Sequence, residues 1–347
     1  MELGERKLKI LAAIIESYIR TGEPVGSKAL TSALDNAVSS ATIRNEMAEL
    51  ANLGYLDQPH TSAGRVPTAA AFRLYIDRLM PRKSLSDGVK KQIDELLASF
   101  AGDPDRLVSE ASQALADVSG CAAVTTTPSL PSSSVRRIEI MRVSPRAAAL
   151  LMMTGAGALR SRICRFDFDV DDQVMEQLSK ALSDAFSGAA LADIGLSQVQ
   201  HLMVELGENG LRCAPALTCF YELVQESAEA EVLLTGQLNL LRHPDFELTR
   251  ARELLSFLSR REQLMNMLAA SPAGLHVVLG SESPRPELEG SSIILTQYTL
   301  GSSSQPTAGS IGLIGPLRMN YSEAIPRLEY FAKAVGRLLS ELLGEEG

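Results

Sequence analysis

The stretch Ser39-Ser-Ala-Thr-Ile-Arg-Asn-Glu-Met-Ala-Glu-Leu50 decides how the first eighty residues are read. Two serines open it, and a serine at a helix start accepts a hydrogen bond from a backbone N–H left free in the first turn. Ile43, Met47, Leu50 and Leu53 then recur at three- and four-residue spacing, the period of a buried helix face. Gly54 follows where a left-handed residue ends a helix. The opposite face holds Ala41, Arg44, Asn45 and Ala48. Small residues there let a helix approach a major groove, where arginine can bond guanine bidentately and asparagine adenine. Ser40 and Thr42 sit at the helix N-terminus, where free N–H groups suit a phosphate.

Working outward, Leu8, Leu11, Ile15, Tyr18 and Ile19 give a helix over 7–21, stopped by Gly22 and Pro24. Ser27 is read as the cap of a short second helix with Leu30 and Leu34 inward, and Asp35-Asn36 as a turn. Three helices joined by short polar turns have helix-turn-helix spacing. Downstream, residues 55–68 read as a β-hairpin, with Gly64 allowing a tight bend. His60, Thr61, Ser62 and Arg65 at its tip are donors suited to phosphates or a minor groove. Thr68 caps a fourth helix with Phe72, Tyr75, Ile76 and Leu79 inward. The same pattern also serves oligomerisation modules. Arg44 then becomes a surface ion-pair partner and His60 a solvated loop histidine.

The chain has 347 residues, room for two to three domains, and 45% are hydrophobic, which excludes global disorder. A net charge of −9 argues against nucleic acid until the chain is split. Residues 1–83 hold 11 basic and 9 acidic side chains, net +2, and the remainder nets −11. The longest apolar run, 147–153, falls far short of the roughly 20 residues of a membrane span. Glu2, Glu5 and Glu16 break up any signal peptide, and Cys121, Cys164, Cys213 and Cys219 read as core residues in a reducing cytoplasm.

Catalytic and metal signatures are missing. Gly22 to Lys28 has three residues between its glycines, lacks Gly-Lys-Ser/Thr and follows a helix, so it is no P-loop. His60, His201, His243 and His276 are scattered and no Cys-x-x-Cys exists, so no metal site is expected. Asp167, Asp169, Asp171 and Asp172 read as a solvated loop before a helix N-terminus. No cofactor is expected, and nothing marks an enzyme.

Past a boundary at 81–83, helical patterns cover 89–100 and 106–118, separated by Asp103-Pro104. Strands at 122–127, 137–143, 148–154 and 159–166 follow, with loops at 128–134 and 155–157, and are read as one antiparallel sheet. Residues 171–186 are helical, and 188–228 are short helical pieces broken at Gly195, Gly207, Gly210 and Pro215. A long helix is expected over 247–270, strands at 275–279, 292–299 and 310–314, and a loop at 301–309. Ser322 is expected to cap a last helix, with Pro326 in its first turn. Strands on both sides of a helical block imply a sheet domain carrying an insertion.

Gly22-Glu-Pro-Val-Gly-Ser-Lys28, Ser39-Ser-Ala-Thr-Ile-Arg-Asn45 and Gln58-Pro-His-Thr-Ser-Ala-Gly-Arg-Val-Pro-Thr68 resemble the N-terminal signature of the HrcA family, bacterial heat-inducible transcription repressors. Asn239-Leu-Leu241, Leu288-Glu-Gly-Ser-Ser-Ile293 and Gly312-Leu-Ile-Gly-Pro-Leu-Arg-Met-Asn-Tyr321 resemble its C-terminal motifs. The resemblance implies a multidomain α+β protein. Its parts are an N-terminal winged helix-turn-helix over 1–80, a GAF-like α/β domain with an antiparallel sheet over 84–170 and 229–347, and an inserted, mainly helical dimerisation domain over 171–228. It implies a cytoplasmic homodimer that binds an inverted-repeat operator upstream of heat-shock chaperone operons, represses them, and depends on the chaperonin. Ser40, Thr42, Arg44 and Asn45 would belong to the recognition helix, and His60, Thr61, Ser62 and Arg65 to the wing. Two other readings stand beside it: a regulator sensing a small molecule through the GAF-like domain, and an interaction scaffold that binds no DNA.

Overall fold

A computed structural model of the chain describes residues 3–34, 38–60, 63–81, 83–100, 102, 104–127, 134–155, 159–228, 231–269, 274–300 and 307–343. The expected turn at Asp35-Asn36 lies outside them, as do 128–133, 156–158 and 301–306 of the expected loops. The protein is a multidomain mixture of helices and antiparallel sheets.

The N-terminal unit comprises α1 (Glu5–Thr21), α2 (Ser27–Ala33), α3 (Ser40–Asn52), β1 (Leu56–Asp57), β2 (Val66–Pro67) and α4 (Ala69–Leu74), which runs into a π-helical turn at Tyr75–Leu79. The apolar stripe of α1 buries Ile10, Leu11, Ile14 and Ile15, and the helix ends at Gly22, left-handed at φ 70°. Ser27 does not cap α2. It is the first helical residue, Gly26 precedes it, and its hydroxyl shares a 3.1 Å hydrogen bond with that of Ser40. Thr68 does cap α4, its Oγ1 accepting from Ala71 N at 3.3 Å.

The second unit comprises α5 (Asp87–Ala98), α6 (Pro104–Ser119) and β3 (Ala122–Thr126), then, after a long excursion, β7 (Val232–Thr235), α10 (Gln237–Arg242), α11 (Leu248–Leu258), α12 (Arg261–Ala269), β8 (His276–Leu279), β9 (Ser291–Leu300), β10 (Thr307–Pro316) and α13 (Tyr321–Leu343). Its five strands are ordered β7-β3-β10-β9-β8, all antiparallel. Alternation splits them cleanly. Ala123, Ile294, Ile311 and Leu313 join the core shared with α5, α6 and α13. Ala122, Val124, Ile293, Leu295 and Ile314 join the core under α10, α11 and α12. The single helix expected over 247–270 is two, broken at Ser259 and Arg260, and β7 was not foreseen. Ser322 lies inside α13, with its Oγ donating to Asn320 Oδ1 at 2.9 Å, and Pro326 sits past the first turn.

The excursion holds β4 (Val135–Ser144), β5 (Ala147–Thr154), β6 (Leu159–Arg165), α7 (Asp172–Phe186), α8 (Leu196–Glu205) and α9 (Glu208–Ala228). β4, β5 and β6 form a separate three-stranded sheet, so the expected single sheet over 122–166 is corrected. One face packs Ile138, Leu150, Met152 and Cys164 against Leu178, Leu182, Phe220 and Leu223 of the helices. Residues 135–165 and 171–228 thus share one core, against the expected division at 170. The inserted unit therefore carries a three-stranded sheet beside its helices, which remain its larger part. An antiparallel strand alternates in the same way whichever sheet it joins, so the pattern alone could not assign it. Gly210 and Pro215, expected as breaks, lie inside α9.

The N-terminal unit is docked on the five-stranded one. A single apolar cluster runs from Ile10 and Ile14 through Phe72 and Tyr75 to Tyr321, Leu328 and Phe331. The rings of Phe72 and Tyr321 lie 6.1 Å apart, both fully buried. On one side Arg73 donates to Glu282 Oε1 (2.8 Å) and to Val277 O (2.7 Å). On the other, Arg318 pairs with Asp245 (2.5 Å) and donates to Ile19 O (3.0 Å), one of the carbonyls left free at the end of α1.

The Arg73 hydrogen bonds hold the Glu282 carboxyl below its usual range, outweighing burial, which acts the other way. A depressed carboxylate contributes fully above its unfolded value of 4.5 and loses that contribution as pH falls through the folded one. Glu282→Gln should cost on the order of 1 kcal/mol at pH 7, a value discounted for the part of both side chains open to solvent. Urea melts of wild type and variant should differ at pH 7 and draw together as pH falls below the ordinary carboxylate range.

Candidate nucleic-acid interface

α3 is fixed from beneath. Ser39, extended at φ −67° and ψ 149°, accepts from Thr42 N at 3.2 Å and shares a 2.9 Å hydrogen bond with the Thr42 hydroxyl. The cap is therefore Ser39. The hydroxyls of Ser40 and Thr42 are held by Ser27 and Ser39, leaving the backbone of the first turn as the stronger candidate for an anion.

Ile43, Met47 and Leu50 are buried as expected, but Leu53 is 42% exposed. Its place on the inner face is taken by Glu46, only 4% exposed. Its carboxylate accepts from Arg6 Nε (2.7 Å) and pairs with Lys7 Nζ (3.1 Å). Burial alone would raise the Glu46 carboxyl. The bonds from Arg6 and Lys7 outweigh it and hold the group ionised, below its usual range. This clamp ties α3 to the start of α1 and leaves Ala41, Arg44, Asn45 and Ala48 exposed on the outer face.

The hairpin pairs Leu56 with Pro67 and Asp57 with Val66. A third segment, without periodic trace in the sequence, joins the hairpin. Val25 bridges Arg65, with Val25 N to Arg65 O at 2.8 Å and Arg65 N to Val25 O at 2.9 Å. Arg65 is thus pinned at the root of the loop, next to the Asp57–Val66 pair, rather than carried at its tip. Gly64 serves a close approach more than a bend, since a Cβ there would lie 2.6 Å from the Val25 carbonyl. His60 is exposed, and Gln58 Nε2 donates to Ala63 O at 3.1 Å across the loop. Thr61 and Ser62 lie outside the described residues.

Between α3, the start of α2 and the hairpin opens a cleft of about 520 Å³. Lys28, Arg44 and Arg65 all line it, with Ala48 and Gln58, and no acidic residue does. Among the described residues these three cations have no side-chain partner, whereas Arg6, Lys7 and Arg73 of the same unit are paired. Two of the three were expected. Lys28 was missed as a contact, although it closes the quoted Gly22 to Lys28 motif. Arg44 and Asn45 share the outer face of α3, and Arg65 is brought to its edge. Among the described residues no group of three or more His, Cys, Asp or Glu could hold a metal ion, and no helix is long and apolar enough to cross a membrane.

Comparison with known proteins gives a consistent picture. A family profile described as HrcA protein C terminal domain matches residues 105–325. The heat-inducible transcription repressor HrcA of Clostridium botulinum (strain Eklund 17B / Type B) is 31% identical over 343 residues, covering 98% of this chain and 99% of that one. The protein of the same name from Geobacter sulfurreducens is 32% identical over 341 residues, covering 97% and 98%. A crystal structure described only as that of a hypothetical protein superposes with a TM-score of 0.71 at 24% identity, covering 98% of this chain and all of that one.

The close approach at Gly64 is directly testable. Gly64→Ala places a methyl group against backbone that cannot swing aside, and should lower stability by roughly 1–3 kcal/mol. Thermal melts followed by circular dichroism would read the loss.

Proposed function

The chain belongs to the HrcA family of heat-inducible transcription repressors, and from that premise we propose that residues 1–80 are a winged helix whose α3 reads the major groove of an operator. The protein acts by negative regulation of heat-shock transcription and not by catalysis. One observation carries the DNA reading: Lys28, Arg44 and Arg65, unpaired among the described residues, surround an acid-free cleft beside the exposed face of α3. A protein that must neutralise phosphates keeps such cations free for them. In this reading Arg44 and Asn45 meet base edges, and Ser40 and Thr42 offer the first turn of α3 to a phosphate. Lys28, Arg65 and the wing residues His60, Thr61 and Ser62 track the backbone.

The remaining parts of the reading draw support from the architecture. Residues 84–127 and 231–343 form the GAF-like domain, a five-stranded antiparallel sheet between two helical layers. Residues 135–228 form the dimerisation unit. Its sheet turns Met141, Leu159 and Ile163 outward, each more than half exposed, beside half-buried Leu151 and Met153. An apolar sheet face of this kind supports a two-fold contact with a second copy. Two recognition helices related by that axis then meet the two halves of an inverted repeat. The protein works in the cytoplasm, where its operator lies. Control by the chaperonin enters from the family: repression lapses when heat-damaged proteins occupy the chaperonin.

Fluorescence anisotropy on an inverted-repeat duplex and a same-length scramble, over a salt series, tests the DNA roles. Arg44→Ala or Asn45→Ala should cost roughly 1–3 kcal/mol on the repeat and relax specificity. Lys28→Ala or Arg65→Ala should weaken both duplexes and flatten the salt slope by about one unit each. Equal weakening of both duplexes by Arg44→Ala would make it a phosphate contact and refute its assignment. For assembly, Ile163→Asp should shift sedimentation from dimer to monomer; an unchanged dimer would locate the contact elsewhere.

A further inference from the structure

The seam between the N-terminal unit and the five-stranded one encloses a second cleft, of about 650 Å³. One wall is Ile19 and Arg20 at the end of α1 with Tyr75 of the π-helical turn. Lys83 approaches from the connecting segment, and Met319 and Ser322 close the far side. The volume suits a ring-sized organic molecule, within the roughly 300–1,000 Å³ of small-molecule sites. Half-buried Ile19 provides apolar surface for its body, with Tyr75 and Met319, 2% and 5% exposed, presenting only an edge.

The charged groups are unevenly committed. Arg318, which also lines the cleft, is held by Asp245 and Ile19 O. Glu16 accepts a long hydrogen bond, 3.5 Å, from the Tyr75 hydroxyl. Arg20 and Lys83 are exposed, and among the described residues neither has a side-chain partner. The 23-residue α13 begins at the same place, adding the positive end of its dipole. Against them stand the exposed carboxylate of Glu16, one turn from Arg20, and the negative end of α1; the balance stays positive, and two separate N–H-bearing groups match the several acceptor oxygens of a phosphate monoester.

We propose that this cleft binds a small phosphate monoester with a ring-sized apolar body. Arg20 and Lys83 grip the phosphate, and Tyr75, Ile19 and Met319 flank the body. Because the two walls belong to different units, an occupant favours the docked seam and so fixes the direction in which α3 is presented. The site shares no lining residue with the cleft beside α3, and its occupancy can be measured with no DNA present.

The test uses phenyl phosphate with the full-length protein. Isothermal titration should show saturable binding, and thermal melts a concentration-dependent rise in Tm. Arg20→Ala and Lys83→Ala should each weaken binding about fivefold, the worth of one exposed charge contact of about 1 kcal/mol. Phenol, which lacks the anion, should not bind. Both substituted side chains are exposed and without a partner among the described residues, so the ligand-free melts of the variants should coincide with wild type. Absence of saturable phenyl phosphate binding, unchanged affinity in both variants, or equal binding of phenol would each overturn the proposal.

Discussion

The contact between Phe72 and Tyr321 joins two parts of the chain that local structure alone would leave independent. Phe72 lies in the helix that follows the hairpin, and Tyr321 opens the longest helix of the protein. Arg73 and Arg318 flank the contact: Arg73 reaches across the seam to a carboxylate and a backbone carbonyl, and Arg318, anchored by Asp245 of its own unit, reaches back to the Ile19 carbonyl. With both rings and both arginines engaged, α3 has one direction relative to the five-stranded sheet, and through that sheet relative to the inserted unit. On the proposed reading, a dimer meeting two half-sites needs that geometry, because half-site spacing is set by the distance and angle between recognition helices. The hydrophobic contact supplies most of the adhesion, and the arginines select the orientation.

Charge is organised in the same sense. The unit that presents Lys28, Arg44 and Arg65 is mildly basic, while the rest of the chain is strongly acidic. A polyanion is attracted at one end of the molecule and repelled along the remainder. The Glu46 clamp refines this by consuming Arg6 and Lys7 inside the fold, while Lys28, Arg44 and Arg65 beside the outer face of α3 keep no side-chain partner among the described residues.

Much of this was legible in the sequence because helices leave a periodic trace. The stripe of α3, the caps at Ser39 and Thr68, and the outward set Ala41, Arg44, Asn45 and Ala48 all follow from a 3.6-residue repeat and first-turn chemistry. What escaped has no periodic trace. The Val25–Arg65 bridge is a single pair of residues, too short for any alternation. The membership of β4, β5 and β6 in their own sheet depends on which helices cover them. Pro215 would normally end a helix, but α9 buries Cys213, Leu217, Phe220 and Leu223 around it, and tertiary burial outweighs the lost hydrogen bond. Glu46 reads as a surface residue until Arg6 and Lys7, forty positions earlier, are seen beside it.

The register of β3 against β10 carries a further consequence, which concerns the order of events during synthesis. Ala122 pairs with Ile314, so the five-stranded sheet cannot close until nearly the whole chain has been made. The N-terminal unit draws its helices and hairpin from neighbours in sequence and can form early, since contacts of low separation form fastest. Until Tyr321 and the helix behind it arrive, that early unit carries Phe72 and Tyr75 on a surface with nothing to cover it. A nascent chain therefore passes through an interval with α3 and its neighbouring cations in place and its docking face bare, the condition in which folding chains aggregate.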